Sequence, residues 1–158
     1  MTTYSPRPIE PTVLKELRTT DDAGRPTAPF TDDEGGSPLR CCLRRSTPGE
    51  RIALVSYAPL RRWAAETGAD PGAYEEVGPV FVHADACAGP DTALADYPFA
   101  NAHRTVRRYS RDGHILGGRL VDTGLEAAVT EAFDDPDVAL VHVRAVEYGC
   151  FLYEVRRD

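Results

Sequence analysis

A histidine, a carboxylate and a thiol stand at alternate positions in the stretch Gly78-Pro79-Val80-Phe81-Val82-His83-Ala84-Asp85-Ala86-Cys87. Residues two apart on an extended strand share a face, so His83, Asp85 and Cys87 are expected to project into one pocket. An imidazole beside a thiol is the raw material of nucleophilic catalysis, because a base must remove the proton that keeps a cysteine inert. On a regular strand, however, the Cα atoms of His83 and Cys87 lie about 13 Å apart. A direct dyad therefore needs the chain to bend between Asp85 and Cys87, and a partner from another strand fits the geometry better.

His83 and Asp85 are also metal-ligand types, and His103 or His142 could complete a two-histidine, one-carboxylate set. No signature spacing requires this, no Cys-x-x-Cys pair is present, and no metal ligand is assigned. A competing reading places His83 in the core on hydrogen bonds, with Asp85 capping a turn.

Residues 39–45 alternate as a strand, with Leu39, Cys41 and Leu43 on one face and Arg40, Cys42 and Arg44 on the other. On that reading the adjacent thiols point apart and cannot clamp a soft metal together. Cys41 belongs to the core, while Cys42 lies between two guanidinium groups that would favour its thiolate and attract an anion. His83, Cys42 and Cys87 are thus the candidate catalytic residues. Arg40, Arg107, Tyr109 and His142 are the candidate ligand-binding residues, since a guanidinium fork and a phenol hydroxyl both suit a carboxylate or phosphate. His83 is expected in a concave pocket with at least one of Arg40, Cys42, Tyr109 or His142. Cys150, after Gly149, reads as a small buried residue, and His114 as an exposed turn residue.

The elements that must position these groups follow from periodicity and punctuation. Residues 11–18 suit one short helix, and residues 23–38, rich in Pro, Gly and acid, read as a mobile loop. Residues 39–45 and 51–57, joined by Ser46-Thr47-Pro48-Gly49, read as an antiparallel hairpin. A helical turn or two follows Pro59, a strand covers 80–85, and a second long loop lies between Gly89 and Pro98. Asp112-Gly113 turns strand 104–110 back through 114–121. Thr123 and Glu126 read as a capping box for a helix that buries Leu125, Val129 and Phe133. Strand 138–147 and, past a bend at Gly149, strand 150–156 close the chain. The expected fold is a single α+β domain over residues 1–158: an arm, helix and loop in 1–38, then a mainly antiparallel or mixed sheet of about seven strands with two or three helices.

Composition narrows the function classes. The 158 residues are 42% hydrophobic and 27% charged, as in an ordinary folded domain. A net charge of -7 repels a phosphate backbone and argues against nucleic-acid binding. Lys15 is the only lysine, so the other basic residues are arginines. The N-terminal residues carry no apolar run after their charges, and no segment is long enough to span a membrane, which points to the cytoplasm and to thiols kept reduced. Walker, dinucleotide-binding, Gly-x-Ser-x-Gly and His-Glu-x-x-His motifs are absent.

Pro38-Leu39-Arg40-Cys41-Cys42-Leu43-Arg44, Ser56-Tyr57-Ala58-Pro59-Leu60, Gly78-Pro79-Val80-Phe81-Val82-His83 and Tyr148-Gly149-Cys150-Phe151 together resemble a bacterial family known as domain of unknown function 1203. The resemblance runs the length of the chain and supports a single domain. It implies no activity, cofactor or catalytic residue. From the residues themselves, the expected function is an enzyme acting on a small anionic metabolite through an Arg/His/Cys pocket. The alternative is a non-catalytic ligand-binding or interaction domain. Cofactor and oligomeric state are left open.

Overall fold

The computed structural model describes residues 4–100 and 102–157. Met1 to Thr3, where the N-terminal arm begins, lie outside the described residues. The chain forms two compact units, one from Met1–Arg7, Ala58–Glu76 and Ala100–Asp158, the other from Pro8–Tyr57 and Val77–Phe99. Each owns one sheet, so the fold is α+β, with nine strands and three α-helices among the described residues.

In the second of these units the helix α1 (Pro11–Leu17) buries Leu14 and Leu17 and begins with proline, whose missing N–H costs nothing at that position. Five strands follow: β1 (Phe30–Asp32), β2 (Pro38–Leu39), β3 (Arg44–Arg45), β4 (Glu50–Tyr57) and, after the excursion through the other unit, β5 (Gly78–His83). Their spatial order is β1-β4-β5-β2-β3. The central pair, β4 and β5, is antiparallel from Tyr57↔Gly78 to Ile52↔His83. Ile52, Ala53, Val55, Val80 and Val82 are buried there.

Two expectations are corrected in this unit. Residues 39–45 do not pair with 51–57: β4 pairs with β1 and β5, while β2 pairs with β3 and runs parallel to β5. The acidic loop also contributes β1 to the sheet edge, held by Asp32, which accepts hydrogen bonds from Ser46 Oγ (2.6 Å), Ser37 Oγ (2.9 Å) and the Gly35 N–H (3.1 Å). A carboxylate with three local donors can order a stretch whose composition alone reads as loop.

The first unit is an antiparallel sheet of β6 (Arg104–Tyr109), β7 (Ile115–Val121), β8 (Leu140–Ala145) and β9 (Phe151–Arg156), in the order β7-β6-β8-β9, with α2 (Pro59–Thr67) and α3 (Leu125–Ala132). The β6–β7 hairpin turns at Asp112-Gly113 as expected. Gly113 has φ 85°, and a Cβ there would sit 2.9 Å from Pro71 Cβ, so both conformation and space require glycine. Leu60, Trp63, Tyr109 and Leu140 form a core cluster. Gly124, in the left-handed region, occupies the N-cap of α3 with no side-chain cap, so the expected Thr123 box is not formed. Cys150 is half-buried rather than core.

Candidate metal centre

The thiols of the second unit converge because the run 39–45 breaks in the middle. Leu39 lies in parallel register with Phe81, and the Arg40 N–H donates to the Phe81 carbonyl at 2.8 Å, which lays the chain beside the end of β5. Residues 40–43 then form a turn closed by the Leu43 N–H on the Leu39 carbonyl at 3.0 Å. Leu43 is fully buried and has φ 55°, a conformation that costs a side-chain-bearing residue about 1–3 kcal/mol. The turn takes Cys41 and Cys42 out of strand alternation, so the premise that they point apart does not hold. On the other side β5 ends at His83, and the chain bends at residues 84–85. That bend returns Cys87 toward His83.

The outcome is a cluster in which Cys41 Sγ, Cys42 Sγ, Cys87 Sγ and a ring nitrogen of His83 all lie within 4.8 Å of one another. Cys41 Sγ is 3.9 Å from Cys42 Sγ and 3.3 Å from His83 Nδ1, and Cys42 Sγ is 3.8 Å from the same nitrogen. Zinc bonds of about 2.3 Å to sulfur and about 2.0–2.1 Å to nitrogen place tetrahedral ligands about 3.8 Å apart for two sulfurs and about 3.6 Å apart for sulfur and nitrogen. The three edges among Cys41, Cys42 and His83 fall around those values, and Cys87 Sγ completes the set within 4.8 Å of each.

Surroundings orient the donors. Glu50 starts β4, and His83 pairs with Ile52, so Glu50 is the diagonal neighbour of His83 on one face of the sheet. His83 Nε2–H donates to Glu50 Oε2 at 2.8 Å. A carboxylate only accepts, so this bond puts the ring proton on Nε2 and leaves the Nδ1 lone pair aimed at the sulfurs. A carboxylate on the far nitrogen of a histidine is the usual companion of metal ligation. Arg44 grips the same carboxylate with two nitrogens, both at 2.9 Å. Those two bonds, foremost, hold the Glu50 carboxyl well below its ordinary range.

Backbone amides also point at sulfur: the His83 N–H donates to Cys41 Sγ at 3.2 Å and the Gly89 N–H to Cys87 Sγ at 3.5 Å. The three thiols do not ionise alike. Bonds from the Cys41 and Cys42 thiols, opposed by burial, bring Cys87 below the ordinary thiol range. Bonding to Cys42 and Cys87, together with burial, pushes Cys41 up. The Cys41 thiol lowers Cys42, but its bond to Cys87 and its burial prevail and push it up to about 11. Thiols that hold their protons this unequally, packed against an imidazole, form a cluster that can exchange protons for a cation.

A cavity of about 570 Å³ adjoins the cluster, lined by Cys42, Arg44, Glu50, Arg51, His83, Asp85 and residues 86–89 and 91. His83 and Cys42 therefore share a concave pocket. Asp85 and Cys87 also reach it, through the bend rather than through strand periodicity. Arg40 is buried instead, its guanidinium donating to the Pro38 carbonyl.

The other candidates belong to the first unit's sheet. Arg107 Nη1 donates to Glu76 Oε1 at 2.8 Å and to the Tyr109 hydroxyl at 3.3 Å. His142 is buried with its Nε2 2.9 Å from Glu154 Oε1, between the rings of Tyr109 and Phe151. His103 is exposed.

A family profile described as Protein of unknown function (DUF1203) matches residues 36–157. The chain belongs to this family. The matched stretch includes all four donors, Glu50 and Arg44. No curated protein and no solved structure matches the chain. Sequence reasoning singled out Cys42, His83 and Cys87 but placed Cys41 in the core, and so missed the set. The one available signal was Cys41-Cys42-Leu43 in an otherwise strand-like run, since only a turn lets neighbouring thiols face the same way.

Proposed function

We propose that the second unit is a zinc-binding domain in which Cys41, Cys42, His83 and Cys87 bind one ion tetrahedrally. The observation that carries this is the four-donor cluster together with the Glu50 carboxylate that fixes the histidine tautomer. Three thiolates and one imidazole are the donor set of closed zinc sites, and soft sulfur donors disfavour magnesium, calcium and manganese. Zinc with three thiolates would carry one net negative charge, and the charge of Arg44, beside the cluster, is already matched by Glu50. The four free cysteines support a reducing, cytoplasmic setting. No helix among the described residues is long and apolar enough to cross a membrane.

The test is metal content by elemental mass spectrometry and the absorption spectrum of the cobalt-substituted protein. One ion per chain is expected, with strong tetrahedral d–d bands and sulfur-to-cobalt charge transfer, and both should be lost in Cys42→Ser and His83→Ala. Wild-type protein refolded with zinc that retains none would overturn the reading.

A second reading, binding of a small anionic metabolite, is favoured by one observation in the first unit. Arg107 Nη1 and Arg144 Nη2 already hold a carboxylate between them, that of Glu76, at 2.8 and 3.1 Å. A metabolite carboxylate would meet the same two forks, and Glu76→Ala should then bind a small dicarboxylate that the wild type binds more weakly, as read by calorimetry.

A further inference from the structure

The three sulfurs of the cluster differ in what surrounds them. Cys41 and Cys42 are buried, 2% and 1% exposed, whereas Cys87 is half-buried; of the three, Cys42 and Cys87 border the 570 Å³ cavity, and Cys87 is the more exposed of those two. A volume of that order suits a small molecule. Cys41 takes its backbone N–H at 3.2 Å, and Cys87 takes the one from Gly89 at 3.5 Å. Hydrogen bonds to a thiolate draw charge from it, so the longer bond leaves Cys87 the less quenched of the two. Resting on the zinc reading, which makes each ligand a thiolate by coordination, we propose that Cys87 is a nucleophilic site for small alkylating electrophiles that are uncharged or cationic.

Charge sets that selectivity. The cavity carries two guanidinium groups, Arg44 and Arg51, against three carboxylates, Glu50, Asp85 and Asp91. Arg44 is committed to Glu50 through two bonds, and Arg51 lies 4.0 Å from Asp85. Arg51 and Asp85 are both mostly exposed and pair only loosely, but Asp91 and the centre itself leave the cavity net negative. An anionic electrophile is therefore repelled at the sulfur, while an uncharged or cationic one is admitted. In the step, the Cys87 sulfur pair attacks the electrophilic carbon, the S–C bond forms, the bond to the leaving group breaks, and that group departs with its electron pair. No oxidant or reductant takes part.

The experiment uses the full chain loaded with zinc and three alkylating probes: iodoacetamide, iodoacetate and (2-bromoethyl)trimethylammonium. Peptide mass mapping follows modification of each cysteine. Cys150, half-buried in the other unit with a long 3.9 Å contact to the Tyr148 carbonyl, is the internal reference thiol. Relative to Cys150, modification of Cys87 should be several-fold slower with iodoacetate than with iodoacetamide, and fastest with the cationic probe. Asp85→Asn combined with Asp91→Asn should keep its zinc and lose most of that preference. Modification of Cys150 ahead of Cys87, or equal use of anionic and cationic probes at Cys87, overturns the proposal even when zinc is fully bound. Protein that holds no zinc overturns both readings, so the two failures are distinguishable by metal content.

Discussion

The two units carry the same three-residue relay. In one, Arg44 bonds Glu50, and Glu50 accepts from His83 at 2.8 Å. In the other, Arg156 Nε donates to Glu154 at 2.7 Å, and Glu154 lies 2.9 Å from His142 Nε2. What differs is the other side of each imidazole. His142 is 1% exposed and flanked by Tyr109 and Phe151, with ring centroids at 4.8 and 5.0 Å. His83 presents Nδ1 to two sulfurs at 3.3 and 3.8 Å and borders a cavity. A histidine–carboxylate pair is thus no mark of chemistry by itself; the neighbours of the free nitrogen decide whether it ties a core together or orients a ligand.

The contrast is broken most severely at the sealed relay. His142→Ala would leave a buried carboxylate short of a partner and open a void, and about 3–5 kcal/mol of stability should be lost. Trp63, the only tryptophan, is buried in the same unit, so its fluorescence during urea unfolding reports the loss. Zinc stoichiometry should not change. A His142→Ala protein that unfolds like the wild type but loses its metal would reverse the roles given to the two relays.

Proton linkage at the thiols comes next. Cys87 lies below the ordinary thiol range and Cys41 and Cys42 above it, so zinc binding near neutral pH should displace about two protons, from the latter pair. Affinity should then rise about a hundredfold per pH unit, or about 2.7 kcal/mol. Calorimetric titration in buffers of different ionisation enthalpy counts the protons; three would mean that Cys87 is also protonated.

Acid acts on both relays in one direction. Burial raises Glu154, but bonds to His142 and Arg156 prevail and leave it lowered; Glu50 is lowered chiefly by Arg44. A folded-state value below the unfolded one contributes stability that is complete above the ordinary glutamate value of 4.5 and is lost as pH falls toward the folded value. Only the His83 relay should also lose acid resistance when a chelator is present.

Glu50→Gln keeps the shape of the residue and removes its charge. The amide can still accept from Nε2–H, so the ring orientation survives, but the added basicity at Nδ1 does not. Zinc affinity should fall about 10- to 100-fold, measured by competition with a chromogenic chelator. No change would mean that Glu50 serves only the Arg44 salt bridge.

The hairpin at Asp112-Gly113, the helix over Leu125–Ala132 and the α+β class were legible because period, turn chemistry and burial agree there. The cluster was less so. Cys41 and Cys42 sit in a run with strand periodicity, and the left-handed Leu43 that breaks it has no local signature, since tertiary burial rather than propensity imposes it. Likewise the pairing of β2 with β5 joins segments about forty residues apart, which no local pattern encodes. His83 and Cys87 were found as types; distance alone showed that only a bend could bring them together, but not that the chain makes one. The two histidine relays were invisible, because Glu50 and Glu154 become partners only through strand register.

The smallest expected effects lie one bond further out, at the arginines. Arg44→Lys preserves the charge but replaces two parallel bonds to Glu50 with a single flexible one. Glu50 stays ionised and in place for part of the time, so zinc affinity should drop by less than in Glu50→Gln, about two- to fivefold, or up to about 1 kcal/mol. Arg156→Lys makes the matching change in the other unit, where Arg156 also holds Glu66. It should lower the urea midpoint reported by Trp63 by a similar free energy and leave zinc affinity untouched. The informative quantity is the crossed pair of measurements, each variant assayed for both properties. If Arg44→Lys shifts only the unfolding midpoint, the relay around His83 is structural like its counterpart, and the difference drawn between the two histidines rests on the sulfurs alone.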